Sequence, residues 1–212
     1  AAMTSTDFGP VAAGYQAFKG MLFTPSSPET LQRLITWLEH NQQYPMLLQE
    51  ARKWLTEPIE LECDYNRMCI GPTRLLVPPY ESVYRDGGRQ LNTDNTSTVA
   101  KFYQKLGLVI DNKLNEPADY IGNEMEFLFC AEALRHHHSN TNPTVANELN
   151  QMAQCFLQQH LGTWFEYFTD GMSRHAQLKF WDCYAKALAD FLANRLNIAG
   201  AHAPSEKPRL DA

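Results

Sequence analysis

The stretch LKFWDCYAKALADFL, residues 178–192, is the part of the sequence that decides the fold. Its large apolar residues recur every three or four positions, at Leu178, Trp181, Tyr184, Leu188, Phe191 and Leu192. This spacing places them on one face of an α-helix, whereas a half-buried strand would alternate apolar and polar residues. The stretch therefore predicts a long amphipathic helix that packs against other helices.

The helical period continues toward the N-terminus. Residues 145–168 carry a second apolar stripe, and the sequence predicts that Gly171 ends it. Prolines at positions that suit the first turn of a helix mark further starts, at Pro10, Pro28, Pro45, Pro58, Pro117 and Pro143. Residues 136–142 look like a connecting loop, and no segment shows strand-type alternation. The predicted fold class is all-α, with one helical domain over residues 7–199 and a disordered tail over residues 200–212.

Composition narrows the functional class. The 212 residues carry a formal net charge of −6, which argues against a general nucleic-acid binder. No apolar run approaches the ~18 residues of a membrane span, and no signal peptide is recognisable, so stable membrane insertion is not expected. Five scattered cysteines without a Cys-x-x-Cys pair predict buried or partly buried thiols in a reducing compartment.

Residues 71–92 interrupt the helical pattern. They contain three prolines and the pair Gly87-Gly88, which predicts a loop of about twenty residues, and loops of that length are often functional. Its first part, GPTRLLVPPYESVY at residues 71–84, is more apolar than a solvated loop needs to be. These side chains either fill the helical core or line a groove, and the tyrosines suit a wet interface.

A second segment, NEPADYIGNE at residues 115–124, places acids around a predicted helix start. Pro117 is preset for the first turn, and Glu116 and Asp119 put negative charge where the helix dipole favours it. This capping role explains the acids about as well as a binding role does, so both interpretations stay open.

The two segments belong to a wider set of motifs. The set comprises Tyr65-Asn66-Arg67-Met68, Gly71-Pro72, Pro78-Pro79-Tyr80-Glu81-Ser82-Val83-Tyr84, Tyr103, Gly107-Leu108, Glu116-Pro117-Ala118-Asp119-Tyr120, His160-Leu161, Trp164 and Phe180-Trp181. With these motifs the chain resembles the TorD/DmsD/NarJ group of redox-enzyme maturation chaperones, and the TorD/DmsD branch most closely. The resemblance extends over residues 10–196.

The resemblance implies an all-helical, TorD-like chaperone of the cytoplasm without catalytic activity or cofactor. Such proteins bind the twin-arginine signal peptide, and often the body, of an immature molybdopterin-dependent oxidoreductase, and hold it for cofactor insertion before export. It also implies a monomer or a homodimer and a possible weak guanine nucleotide, although the chain has no phosphate-binding Gly-x-x-x-x-Gly-Lys-[Ser/Thr] loop. A non-exporting assembly subunit of a redox complex is the alternative.

The resemblance maps the peptide-binding region onto the two segments. A twin-arginine leader offers paired arginines followed by apolar residues. An acidic rim could bind the arginines by charge-assisted hydrogen bonds, and a stiff apolar groove could bind the rest. The predicted peptide-binding residues are Leu75, Pro78, Pro79, Tyr80, Ser82, Tyr84, Glu116, Asp119, Tyr120 and Glu124. The chain departs from the family at Tyr120, where many members have histidine, and at Thr73, where some have an aromatic residue.

A helical metal-dependent enzyme is the rival interpretation. Its basis is the run His136–His138, with Glu132 one turn before His136. A di-iron bundle needs a Glu-x-x-His pair on each of two helices, and no such pair occurs here. Consecutive histidines also leave a helix in different directions. His160 has no evident nucleophile partner and is predicted to be a core histidine. The sequence therefore predicts no catalytic residue and no metal site.

Overall fold

The computed structural model describes residues 5–85, 94–108 and 116–200. Within these ranges the chain forms α-helices and one short 3-10 helix, Ser5–Phe8, and contains no β-strand, which confirms the all-α prediction. The helices are α1 Pro10–Phe23, α2 Pro28–Asn41, α3 Pro45–Lys53, α4 Ile59–Cys69, α5 Glu81–Arg85, α6 Asp94–Lys105, α7 Ile121–His138, α8 Pro143–Gln159, α9 Leu161–His175 and α10 Lys179–Ile198.

The chain divides into two compact units. The first takes in Ala1–Tyr15, Tyr80–Trp164 and Ala193–Ala212, and the second takes in Gln16–Pro79 and Phe165–Leu192. The single domain over residues 7–199 stays a prediction. The predicted tail lies outside the described residues except for Gly200, as do residues 86–92 of the predicted loop.

Helix starts follow the chemistry that the sequence suggests. Ser27 caps α2, its hydroxyl accepting a hydrogen bond of 3.3 Å from the Thr30 N–H, and Pro28 follows at the first helical position. Asn142 caps α8 in the same way through the Val145 N–H, at 3.3 Å. These caps satisfy N–H groups that a helix leaves without internal partners.

The start of α7 differs from the prediction. The helix begins at Ile121 and not at Pro117, and residues 116–120 form a turn that ends in a β-type bridge from Tyr120 to Tyr80. The Ala118 carbonyl accepts a hydrogen bond of 2.6 Å from the Tyr103 hydroxyl. Because these tertiary contacts occupy the turn, they override the local preference of proline for a first helical turn.

Two further boundaries differ from the sequence analysis. Helix α7 continues through the histidines to His138, so the connection to α8 is shorter than residues 136–142. The long C-terminal stripe breaks at His160, where the backbone leaves helical geometry, and Gly171 lies inside α9. A Cβ at Gly171 would lie 3.3 Å from Cγ1 of Val77, so this glycine serves close packing and does not end a helix.

The core of the second unit forms around the predicted face of α10. Trp181, Tyr184 and Leu188 are fully buried. The Trp181 indole N–H donates to the Leu61 carbonyl at 2.9 Å, and the Tyr184 hydroxyl donates to the Phe18 carbonyl at 2.7 Å. The polar ends of these large aromatic side chains therefore have partners inside the core, as buried tyrosine and tryptophan require.

Asp64 fixes the approach to α10 in the same unit. Its Oδ1 accepts hydrogen bonds of 3.1 and 2.9 Å from Nε and Nη2 of Arg67, and its Oδ2 accepts from the backbone N–H groups of Gln177 and Leu178 at 3.1 and 2.9 Å. The residue is only 4 % exposed. One side chain thus joins α4 to the turn that precedes α10.

The cysteines are less buried than expected. Cys69 and Cys183 are buried and Cys130 is intermediate, but Cys63 and Cys155 are exposed, so the prediction is wrong for those two. Both lie in amphipathic helices, on faces that turn toward solvent. Among the described helices, none combines the length and the apolar character that a membrane crossing needs.

Candidate peptide-binding site

In the first unit the structure brings residues 80–84 and residues 116–124 together. Tyr80 and Tyr120 form an antiparallel bridge, and their ring centroids lie 5.9 Å apart. The backbone N–H of Glu81 donates to the Asp119 carbonyl at 3.2 Å. We call this set of contacts between Tyr80–Ser82 and Asp119–Tyr120 the clasp.

Asp119 is a structural member of the clasp. Its side chain has no exposed surface, and its Oδ2 accepts a hydrogen bond of 2.8 Å from the backbone N–H of Ser82 at the start of α5. The prediction that Asp119 caps the helix that follows it is therefore wrong, because no described side chain caps the start of α7 and Asp119 accepts instead from an N–H of α5. In this conformation the carboxylate is not accessible to an arginine from solvent.

Glu116 is the more accessible acid. Its Oε2 accepts a hydrogen bond of 2.9 Å from the Tyr80 hydroxyl, and the residue is partly exposed. Burial raises the pKa of the Glu116 carboxyl above its usual range, and the bond from Tyr80 holds the rise back. The amide of Asn123 donates to the Pro117 carbonyl at 2.9 Å and steadies the turn next to Glu116.

Glu124 and Tyr84 meet at Trp164. The Tyr84 ring stacks on Trp164 with centroids 5.6 Å apart, and the Trp164 indole N–H donates to Oε1 of Glu124 at 3.1 Å. Glu124 has no exposed surface. Its pKa lies well above the ordinary value, chiefly because burial disfavours the charged form, and the Glu81 and Asp119 carboxyls raise it further.

Glu81 lies among the predicted site residues although it was not predicted to be one of them. This residue is fully buried, and both of its carboxylate oxygens lie near Nδ1 of His160, at 3.1 and 3.0 Å. Nη1 of Arg85 donates to Oε2 of Glu81 at 3.3 Å and to the Gln159 carbonyl at 2.7 Å. Since 79 residues separate Glu81 from His160, no local pattern could reveal the pair. The prediction that His160 is a core histidine is confirmed, because only 2 % of the residue is exposed.

The other predicted residues of the loop lie in the second unit. Leu75 is partly exposed and Leu76 is 39 % exposed, whereas Val77, Pro78 and Pro79 are buried. The Val77 N–H donates to the Met68 carbonyl at 2.8 Å, which fixes this part of the loop against the end of α4. Val77, Pro78 and Pro79 thus fill space, and the side chains of Leu75 and Leu76 reach solvent.

The arrangement offers little for catalysis among the described residues. The Ser82 hydroxyl and Nε2 of His160 are both buried without a hydrogen-bond partner, so they do not form the nucleophile–base pair that acyl transfer needs. Glu132, near the histidine run, accepts from Nε of Arg135 at 2.6 Å and from Nη2 of Arg195 at 3.4 Å. Within the described ranges, no three histidine, cysteine or acidic side chains are grouped so that they could hold a metal ion.

Comparison with known proteins assigns the family. The chain is 25 % identical over 134 residues to the chaperone protein TorD of Aliivibrio salmonicida, a match that covers 63 % of this chain and 61 % of the relative. It is 30 % identical over 118 residues to the Tat proofreading chaperone DmsD of Salmonella paratyphi A, covering 55 % of this chain and 51 % of the relative. The matches thus span only about half to three-fifths of these relatives. The family model of the nitrate reductase delta subunit matches residues 28–170. Because that match covers more than half of the chain, the resemblance to the TorD/DmsD/NarJ group is confirmed and the chain belongs to the nitrate reductase delta subunit family.

Proposed function

We propose that this protein is a maturation chaperone for a molybdopterin-dependent oxidoreductase. It binds the twin-arginine leader of the immature enzyme, and its body, in the cytoplasm and holds them while the cofactor is inserted. It performs no catalysis of its own. The observations that carry this proposal are the family match over residues 28–170, which contain the clasp, and the similarity to relatives named as TorD and as a Tat proofreading chaperone.

The geometry supports a distinct role for each acid of the predicted rim. Asp119 and Glu124 are buried and hold backbone or indole donors, so their part is to shape the site. Glu116 is partly exposed and already accepts one hydrogen bond from Tyr80. A carboxylate has further lone pairs that can accept from a guanidinium. We assign the contact with a leader arginine to Glu116.

Tyr80 supplies the aromatic part of the same surface. Its hydroxyl orients Glu116, and its ring lies against Tyr120. A tyrosine held in this way loses little conformational freedom when a peptide binds, which favours it as a rigid anchor. Tyr80 is only 9 % exposed, but it lies beside the partly exposed Glu116, so the two residues place an aromatic ring next to a charge. This pairing matches a peptide with arginines next to apolar residues.

Titration calorimetry with a synthetic twin-arginine leader tests this assignment. Glu116→Gln keeps the shape of the side chain and removes its charge, and we expect a loss in affinity of about tenfold or more if the acid pairs directly with arginine. Glu148→Gln, on the exposed face of α8, removes the same charge at a remote site and should leave the affinity nearly unchanged. A leader with both arginines replaced by lysine should bind more weakly to the parent, since lysine cannot form the planar bidentate contact.

An assembly factor without a role in export is the second candidate, since the matching family is described by a nitrate reductase subunit. The two functions differ in what they bind. A leader-binding chaperone loses most of its client when the leader is deleted, whereas an assembly factor retains the client body. Co-purification with full-length and leader-deleted client, before and after cofactor supply, separates them. If the parent protein binds no leader peptide but still captures the leaderless client, the export role is wrong.

A further inference from the structure

Buried carboxyl groups gather behind the clasp. Glu81, Asp119 and Glu124 each have no exposed surface and belong to one compact unit. The ionisable side chains around them are Arg85 on α5, Tyr103 on α6, Glu126 on α7 and His160 at the end of α8. Three carboxylates in a low-dielectric interior repel one another strongly unless cations or protons compensate them.

The three carboxyl groups differ in the cations and hydrogen-bond donors that lie near them. Glu81 faces both cationic partners, because His160 and Arg85 each contact its carboxylate. Asp119 receives a backbone N–H at Oδ2 from Ser82, and its Oδ1 has no hydrogen-bond partner among the described residues. Glu124 receives the Trp164 indole N–H at Oε1, but no described donor reaches its Oε2. An ionised Glu124 would therefore be a buried charge that lacks a cation, which is costly.

We propose that Glu124 remains protonated in the folded protein at neutral pH, and that its Oε2–H donates to the carboxylate of Glu81, so that one proton holds α5 against α7. No covalent bond changes in this arrangement. When the proton leaves, it passes to solvent, and two adjacent buried carboxylates remain without a donor between them. We call this hydrogen bond the proton latch.

The raised pKa of Glu124 agrees with the proton latch. Burial raises the pKa of Glu124, and Glu81 and Asp119 raise it further against the lowering effect of the Trp164 hydrogen bond. A group whose pKa is raised by folding contributes stability that is complete below its unfolded pKa and is lost as the pH rises through its folded pKa. Alkaline conditions should therefore weaken the attachment of α5, which begins one residue after Tyr80 of the clasp.

The latch concerns the folded chain without any client. The latch proposal can therefore fail while the proposed function stands, and the proposed function can fail while the latch stands. The test compares the urea midpoint of the full chain with that of Glu124→Gln at several pH values between about 5 and 9. A glutamine can accept from Trp164 with its oxygen and donate to Glu81 with its amide, and it cannot ionise. We expect the urea midpoint of Glu124→Gln, relative to that of the parent, to increase steadily as the pH rises. The urea midpoint of Glu148→Gln, a substitution at an exposed position, should differ from that of the parent by the same amount at every pH.

Parallel midpoint curves for the parent and Glu124→Gln would overturn the latch. If Glu124→Gln does not fold, Glu124→Met provides the same comparison, since it also removes the titration and keeps a similar volume. Infrared spectroscopy of the parent gives an answer that needs no stable variant. A protonated-carboxyl stretch should be present at neutral pH and disappear on alkaline titration, and the absence of that band at neutral pH would also overturn the proposal.

Discussion

The hydroxyl of Tyr80 donates a hydrogen bond of 2.9 Å to Oε2 of Glu116, which lies 36 residues further along the chain. Tyr80 also bridges to Tyr120 through its backbone. One residue thus fixes both the conformation of the turn before α7 and the orientation of its most accessible acid. If Glu116 and Tyr80 bind the leader as proposed, the affinity for the leader and the ionisation of Glu116 are coupled through a single phenol.

Tyr80→Phe should raise the pKa of Glu116. Burial already raises it, and the phenol hydrogen bond is the opposing influence because it stabilises the carboxylate. Carbon-detected NMR titration of the glutamate carboxyls measures the change, and Glu116→Gln identifies the signal. An unchanged or lower pKa in Tyr80→Phe would show that the hydrogen bond does not persist in solution.

Tyr80→Ala should weaken leader binding more than Tyr80→Phe does. The alanine variant loses the ring against Tyr120 as well as the hydroxyl, and truncation of a central aromatic anchor often costs ~2 kcal/mol or more of binding free energy. Calorimetry with the leader peptide measures the loss. Thermal melting of each variant is the control, because an affinity loss counts only where the clasp still folds.

Asp119→Ala should destabilise the protein by about 1–2 kcal/mol, since it removes the buried acceptor of the Ser82 N–H. Asp119→Asn retains an acceptor oxygen and should cost less. Urea unfolding of both variants shows which one loses more of the free energy of unfolding. Equal losses would mean that the charge of Asp119, and not its hydrogen bond to α5, supports the fold.

The sequence predicts the parts of this structure that local patterns control. The stripe in α10 predicts a buried face because helical spacing alone places Trp181, Tyr184 and Leu188 together. The bond from Asp119 to α5 was not predictable in this way, since its partner lies 37 residues away. Family resemblance directed attention to two segments that the folded chain brings together, but only the folded chain distinguishes a buried acid from an accessible one.

Asp64→Ala should be among the more damaging substitutions in the second unit. It removes a carboxylate that accepts from Arg67 and from two backbone N–H groups before α10. The Arg67 side chain that remains is 32 % exposed, so the larger part of the loss comes from the buried donors left without an acceptor, at about 1–3 kcal/mol each. Denaturant unfolding measures the loss. Glu60→Ala, an exposed position on the same helix, is the matched control and should change stability by about 1 kcal/mol or less.

Gly9→Ala tests a contact that holds the start of the chain to α7. Gly9 has a φ of +87°, and a Cβ there would lie 2.5 Å from Cγ and 3.0 Å from Cβ of His136. Rotation of the exposed His136 side chain can move its ring away, but its Cβ stays 3.0 Å from the new methyl group. We expect a loss of about 1–3 kcal/mol from the combined steric conflict and backbone strain.

A double-mutant cycle separates the two causes. His136→Ala removes the Cγ and ring atoms that the new methyl group would meet, while the unfavourable φ at position 9 remains. Gly9→Ala should therefore cost less in the His136→Ala background than in the parent, and the difference measures the steric contact. Equal costs in both backgrounds would assign the whole effect to the backbone and would mean that residue 9 does not pack against His136 in solution. Since His136 is the residue on which the helical metal-site hypothesis rested, such packing also gives it a structural reason to be there.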